Sequence, residues 1–93
     1  MPTLKAAFYH IMLLPKDGVT EKQILKTMNL ALDWFRLSSN DWVVYTTSDA
    51  KTWNERLLPI VKGGGNVFIC RLDVTDRQGW VSKQFWEWLK CER

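Results

Sequence analysis

The residues able to carry out acid–base or nucleophilic chemistry are few and widely separated in this 93-residue chain. His10 is the only histidine, so a metal site built from several imidazoles is excluded. Ser38 and Ser39 supply hydroxyl groups within a run of turn-forming residues, but the available base is His10, which is distant in sequence. We therefore predict no catalytic residue, no metal ligand and no cofactor. His10 is expected to form a local hydrogen bond or to contribute to an interface.

Two further patterns resemble ligand sites but are explained as turns. The stretch "KGGG" at residues 62–65 lacks the Walker pattern and precedes a strand, so no helix N-terminus would face a phosphate. Asp73 and Asp76 are three residues apart after the last strand, a spacing that suits turn and helix capping as well as weak cation binding. Three lysines around the first loop and helix are candidate phosphate contacts, with a solvated face as the alternative: Lys16, Lys22 and Lys26.

An aromatic cluster stands out in residues 77–90, "RQGWVSKQFWEWLK". A helix beginning near Ser82 places Phe85, Trp88 and Leu89 on one side, with Trp86 turned away from them. A helix this short is unstable alone in water, so it must pack against the sheet or a dimer seam. In the alternative, Trp80 or Trp86 stays exposed and contacts a partner. Base stacking has little support, because no basic groove accompanies the rings.

The elements that must position these residues follow from periodicity and turn signals. Strands are predicted at residues 4–14 and 66–74, and a hairpin is formed by "WFRL" and "WVVYT" around "SSND". Thr20 and Gln23 form a capping box for the first helix, and Ser48 or Asp49 caps the second, which Pro59 should fray or stop. The buried stripes of these two helices are Ile24, Leu25, Met28, Ala31 and Leu32, and then Trp53, Leu57 and Ile60 or Val61.

This order predicts one ferredoxin-like βαββαβ domain with an extra C-terminal helix. If the helix instead runs through Phe35, the alternative is a three-stranded alternating α/β unit. The first strand is apolar on both sides: Phe8, Met12 and Leu14 flank His10, while Tyr9 and its alternate neighbours face the other way. Two helices cover only one face, so the second face needs a second copy of the chain or the last helix. We therefore expect a homodimer, with Tyr9 and His10 as candidate interaction residues.

Three segments resemble a known family. "WFRLSSNDWVVYT", then "ERLLPIV", then "NVFICRLD" look like the middle and end of the small SinR-like proteins of the CRISPR-adaptation type. The tail "RQGWVSKQFWEWL" is similar to a tail in some of these proteins, so the resemblance spans roughly residues 34–89. It implies a ferredoxin-like dimer related to the smaller subunit of the spacer-integration complex.

One departure from that family concerns metal chemistry. The family's first strand commonly ends in a Tyr-Asp pair whose aspartate is implicated in divalent metal binding, whereas here His10 follows Tyr9. A single imidazole with no nearby carboxylate is a poor magnesium site, because magnesium prefers oxygen ligands. The nuclease activity claimed for some relatives is therefore not expected here.

Composition limits the remaining classes. A net charge of +3 and a pI near 9.0, with lysines and arginines spread along the chain, permit nucleic acid binding but give it weak support. No apolar run approaches the length of a membrane span and no signal peptide is recognisable, so a cytoplasmic protein with free Cys70 and Cys91 thiols is expected. The function predicted is a non-catalytic interaction module, and the resemblance implies a role in a mobile-element or defence system. The alternatives are a metal-dependent nuclease, and an inhibitor or scaffold subunit of another protein.

Overall fold

A computed structural model describes residues 5–93 as a small α+β domain with four strands and three helices. The elements follow the order strand, helix, strand, strand, helix, strand, helix, so the predicted hairpin is confirmed and the three-stranded alternative is wrong. Their bounds are β1 (Ala7–Leu14), α1 (Glu21–Met28), β2 (Asp33–Arg36), β3 (Asp41–Thr46), α2 (Ala50–Val61), β4 (Asn66–Leu72) and α3 (Lys83–Lys90).

The four strands form one antiparallel sheet in the order β2-β3-β1-β4. β1 therefore lies in the interior, and β2 and β4 are the two edges. The register places His10 opposite Val43 on one side and opposite Cys70 on the other. Because side chains alternate along a strand, this register determines which residues share a face.

The first face of the sheet is the side that carries Tyr9, Ile11 and Leu13, and helices α1 and α2 cover it. All three side chains are buried, and the two largest rings of the core, Trp42 and Trp53, are fully enclosed with them. The helices add the predicted stripes: Ile24, Met28, Leu57, Ile60 and Val61 are buried.

The helix starts are those predicted. Thr20 Oγ1 accepts a hydrogen bond from the Gln23 amide while the Gln23 side chain accepts one from the Thr20 amide, which completes the capping box. Asp49 caps α2 by accepting from the Thr52 amide, and Ser82 caps α3 by accepting from the Phe85 amide. Each cap depends on neighbours in the sequence, which is why the sequence alone predicts it.

The ends of β1, α1 and β4 differ from prediction, and β4 ends at Leu72 rather than at residue 74. β1 begins at Ala7 rather than at residue 4, and Leu4 lies outside the described residues. α1 ends at Met28, so Ala31 and Leu32 are not on its stripe, and Leu32 is 65% exposed. The cause is that the Leu32 amide bonds to the Tyr45 carbonyl and draws the chain into the sheet.

Pro59 does not stop α2, which continues to Val61. A proline inside a helix has no amide N–H, so the carbonyl four residues earlier loses its hydrogen-bond donor. Pro59 lies on the exposed side of α2, where water can bond to that carbonyl instead. The helix ends at the following glycines, where Gly63 and Gly64 take positive φ angles that other residues rarely adopt. Gly65 has no room for a side chain, because an added Cβ would lie 2.4 Å from the Leu14 carbonyl oxygen.

The second face is the side that carries Phe8, His10, Met12 and Leu14, and α3 covers part of it. The Phe85 ring lies 5.2 Å from that of Phe35, and the Trp88 ring lies 5.6 Å from that of Phe8. The last helix is thus one cover of this face, as the sequence suggested. Within residues 5–93, no helix has both the length and the apolar character needed to cross a lipid bilayer.

Candidate interaction surfaces

The part of the second face that α3 leaves uncovered is a contiguous apolar area, here called the open strip: Met12, Leu14, Phe68 and Cys70. The register places Met12 directly opposite Phe68, with Leu14 and Cys70 at either end of this pair. Phe68 is 62% exposed and Leu14 is 42% exposed. Large side chains of this kind, adjacent to one another and in water, are a feature of contact surfaces.

The open strip borders an unprotected sheet edge. Edge strand β4 has seven residues, contains no proline and carries a single charge, on Arg71. The opposite edge, β2, is only four residues long and is charged at both ends, at Asp33 and Arg36. Natural proteins shorten or charge an edge strand to prevent pairing with other chains, and β4 has little of that protection.

His10 lies beside the open strip and belongs to a short polar chain. Its Nε2 is 3.0 Å from Asp41 Oδ1, and the Ser38 hydroxyl donates to Asp41 Oδ2 at 2.7 Å. An ionised carboxylate only accepts hydrogen bonds, so His10 carries its proton on Nε2. The expected local hydrogen bond of His10 is present. The expectation that no carboxylate lies near His10 is wrong, because β3 supplies one across the sheet.

The order of this polar chain does not suit nucleophilic catalysis. A serine nucleophile needs its hydroxyl bonded to the base, with the acid behind the base. Here Asp41 lies between Ser38 and His10, so the hydroxyl donates to the acid instead. Among residues 5–93, no three histidine, cysteine or acidic side chains are grouped closely enough to hold a metal ion.

The Asp41 carboxylate is stabilised in its charged form. Hydrogen bonds from the Ser38 hydroxyl and then from His10 hold its pKa below the ordinary value of an aspartate. A pKa depressed in the folded state means that these bonds stabilise the protein at neutral pH. That contribution is lost as the pH falls below the unfolded pKa and through the folded one.

The aromatic residues of the tail occupy three different environments. Phe85 is buried, while Trp86 and Trp88 are partly covered. The Trp80 side chain is completely exposed in the loop before α3. Trp86 packs beside Gly79. The helix therefore has the predicted phase, with Phe85 and Trp88 towards the sheet, and Trp80 is the ring left in water.

The remaining candidate sites are spread apart. Asp73 accepts from both the amide and the hydroxyl of Thr75, as expected of a turn residue. Lys22 and Lys26 are exposed on α1, Lys16 is partly covered in the preceding loop, and Lys26 shares a shallow hollow between α1 and α2 with Arg56. Tyr9 is buried in the core, so its side chain is not presented to a partner. Cys70 and Cys91 are free and exposed.

One cluster was not predicted from the sequence. The Arg93 guanidinium lies among the rings of Phe8, Tyr45 and Trp88 and is bonded to the Asp33 carboxylate at 3.0 Å. The sequence carried only a faint signal of it, an arginine shortly after an aromatic helix.

Comparison of the chain with protein-family models, curated proteins and solved structures finds no match.

Proposed function

We propose that this protein is a small non-catalytic binding module, and that it forms a homodimer by pairing strand β4 with β4 of a second copy. The observation that carries the proposal is the combination of an unprotected edge strand and the exposed open strip beside it. An edge strand presents unpaired amide and carbonyl groups, and an added strand satisfies them.

A second copy fits this edge because antiparallel pairing of a strand with itself is self-complementary. Pairing all seven residues of β4 places Ile69 on the two-fold axis. Phe68 then stands opposite Cys70 of the second copy, on the second face. The pairing extends the sheet to eight strands and removes part of the exposed Phe68 ring from water. This contact joins two identical surfaces and closes at two copies.

The ferredoxin-like arrangement is part of the same proposal. The strand order supports it, because β3 lies between β1 and β2 while β1 lies between β3 and β4, which interleaves two β-α-β units. Kinship with the SinR-like proteins, and with it a role in a mobile-element or defence system, rests on the segments of residues 34–89 alone. A scaffold or inhibitor subunit would use the same edge for a strand of another protein.

We expect the mass of the purified protein, followed by light scattering, to rise from monomer to dimer through the micromolar range. Phe68→Glu should weaken the dimer at least about tenfold, because a charge on an edge strand opposes pairing. Leu32→Glu is the matched control. Leu32 is similarly exposed but precedes the opposite edge, so this variant should dimerise like the unchanged protein.

A protein that remains monomeric at several hundred micromolar would contradict the proposal. A dimer that both variants weaken equally would place the interface elsewhere. A monomer that captures a β-strand peptide from another protein would favour the scaffold alternative. Cleavage of DNA or RNA with added Mg²⁺, abolished by His10→Ala, would favour the nuclease alternative.

A further inference from the structure

Four residues from four different elements surround the Arg93 side chain and form what is here called the guanidinium cage: Phe8 on β1, Asp33 on β2, Tyr45 on β3 and Trp88 on α3. The central carbon of the guanidinium is 4.4 Å from the Trp88 ring centroid, 5.3 Å from that of Tyr45 and 5.4 Å from that of Phe8. These distances are within the range of cation–π attraction. The Arg93 side chain is only 12% exposed.

The cage suits a guanidinium better than other cations. A flat group can lie against the aromatic rings and direct its N–H groups towards Asp33 at the edge, where Nη2 donates to Oδ2 at 3.0 Å. A lysine ammonium is a compact and strongly hydrated charge, which gains less from stacking on rings. The site therefore has the chemistry of an arginine-binding pocket.

The walls of the cage lie in regular strands and a helix, whereas its occupant does not. Phe8, Tyr45 and Asp33 are neighbours across three paired strands, and the Phe8 and Tyr45 ring centroids are 4.9 Å apart. Trp88 is fixed by its helix and contacts Phe8 and Phe35. Arg93, by contrast, follows α3 in a stretch without regular structure, and its main chain is open to solvent.

We propose that the guanidinium cage is a binding site for an arginine side chain of a partner polypeptide. Arg93 of the same chain occupies the cage until the arginine of the partner displaces it. This inference is independent of self-association through β4, because the cage lies under α3 and not at the open strip. Because Arg93 is tethered to the cage, it competes like a ligand at an effective concentration on the order of millimolar. The arginine of the partner must therefore be held by further contacts with this protein or be present at high local concentration.

The test uses the full chain with Arg93→Ala, which empties the cage without touching its walls. N-acetylarginine amide should raise the melting temperature of this variant, and the rise should become measurable at about 1–10 mM and continue to grow with the logarithm of the concentration. The unchanged protein should need about twofold more of the probe for the same rise in melting temperature, because the tethered Arg93 competes for the cage at an effective concentration similar to the dissociation constant of the probe. N-acetyllysine amide at the same ionic strength is the control for charge, and we expect little response to it.

Two further variants make the result specific. Asp33→Asn in the Arg93→Ala background should weaken the response to the arginine derivative at least about threefold, because a charged acceptor becomes neutral. Arg93→Lys retains a charge at the tether and should respond to the arginine derivative at lower concentrations than the unchanged protein does. Equal responses to the arginine and lysine derivatives, or no response of either Arg93 variant, would overturn the proposal.

Discussion

Trp53→Ala is expected to cost about 3–5 kcal/mol of unfolding free energy, the range for deletion of a large buried aromatic side chain. Trp53 is fully buried in the core between α2 and the sheet. Its indole N–H donates to the Thr46 hydroxyl at 3.2 Å, a hydrogen bond enclosed by the core. A domain of this length holds about 5–14 kcal/mol in total, so this single change removes a large share of it.

Urea denaturation of the Trp53→Ala protein measures this loss. Trp80→Ala is the matched control, because it deletes the same ring from a fully exposed position and should change stability by less than about 0.5 kcal/mol. Trp53→Phe keeps much of the ring volume and loses the hydrogen bond, so it should fall between the two. Similar losses for Trp53→Ala and Trp80→Ala would contradict the assignment of the core.

Phe85→Ala is expected to cost about 3 kcal/mol, the lower end of the aromatic range, and Trp88→Ala a similar amount. Helix α3 has only eight residues and depends on packing for its stability. Phe85 is its buried residue and contacts Phe35, while Trp88 contacts both Phe8 and Phe35. Removing either ring loosens the helix from the second face.

Trp86→Ala is the control on the same helix. Its ring lies beside Gly79 in the loop before α3 and pairs with the Phe85 ring of its own helix, so we expect a loss of about 1 kcal/mol. Denaturant melts of the three variants should therefore rank Phe85 and Trp88 well above Trp86. Small and equal losses of unfolding free energy would mean that α3 is loosely attached to the sheet. A loss confined to Trp86→Ala would mean that α3 packs on the sheet through the side that carries Trp86.

Much of the fold could be predicted because its signals are local. The Thr20–Gln23 capping box, the Asp49 cap and the Ser82 cap each depend on residues within one turn of each other. The alternation of side chains along β1 likewise predicts which of its residues lie on each face of the sheet. The end of α1 was missed because a long-range bond from Leu32 to Tyr45 decides it.

The surfaces were harder to predict because they depend on what packs across the sheet. The sequence identified α3 as a cover for the second face but not which part it leaves open, since that depends on how Phe85 and Trp88 fit between Phe8 and Phe35. The guanidinium cage joins Asp33 to a residue 60 positions away, which no local pattern reveals. His10 and Asp41 were placed in different segments and meet only through the β1–β3 register.

Hydrogen–deuterium exchange of β4 at low and high protein concentration tests the proposed dimer most directly. The amide groups of residues 66–72 that point away from β1 have no strand partner in the monomer and gain one when β4 pairs with a second copy. We predict that deuterium uptake by this segment slows as the concentration rises through the micromolar range, while uptake by β2 at the other edge does not change. Uptake by β4 that is the same at every concentration would contradict the account.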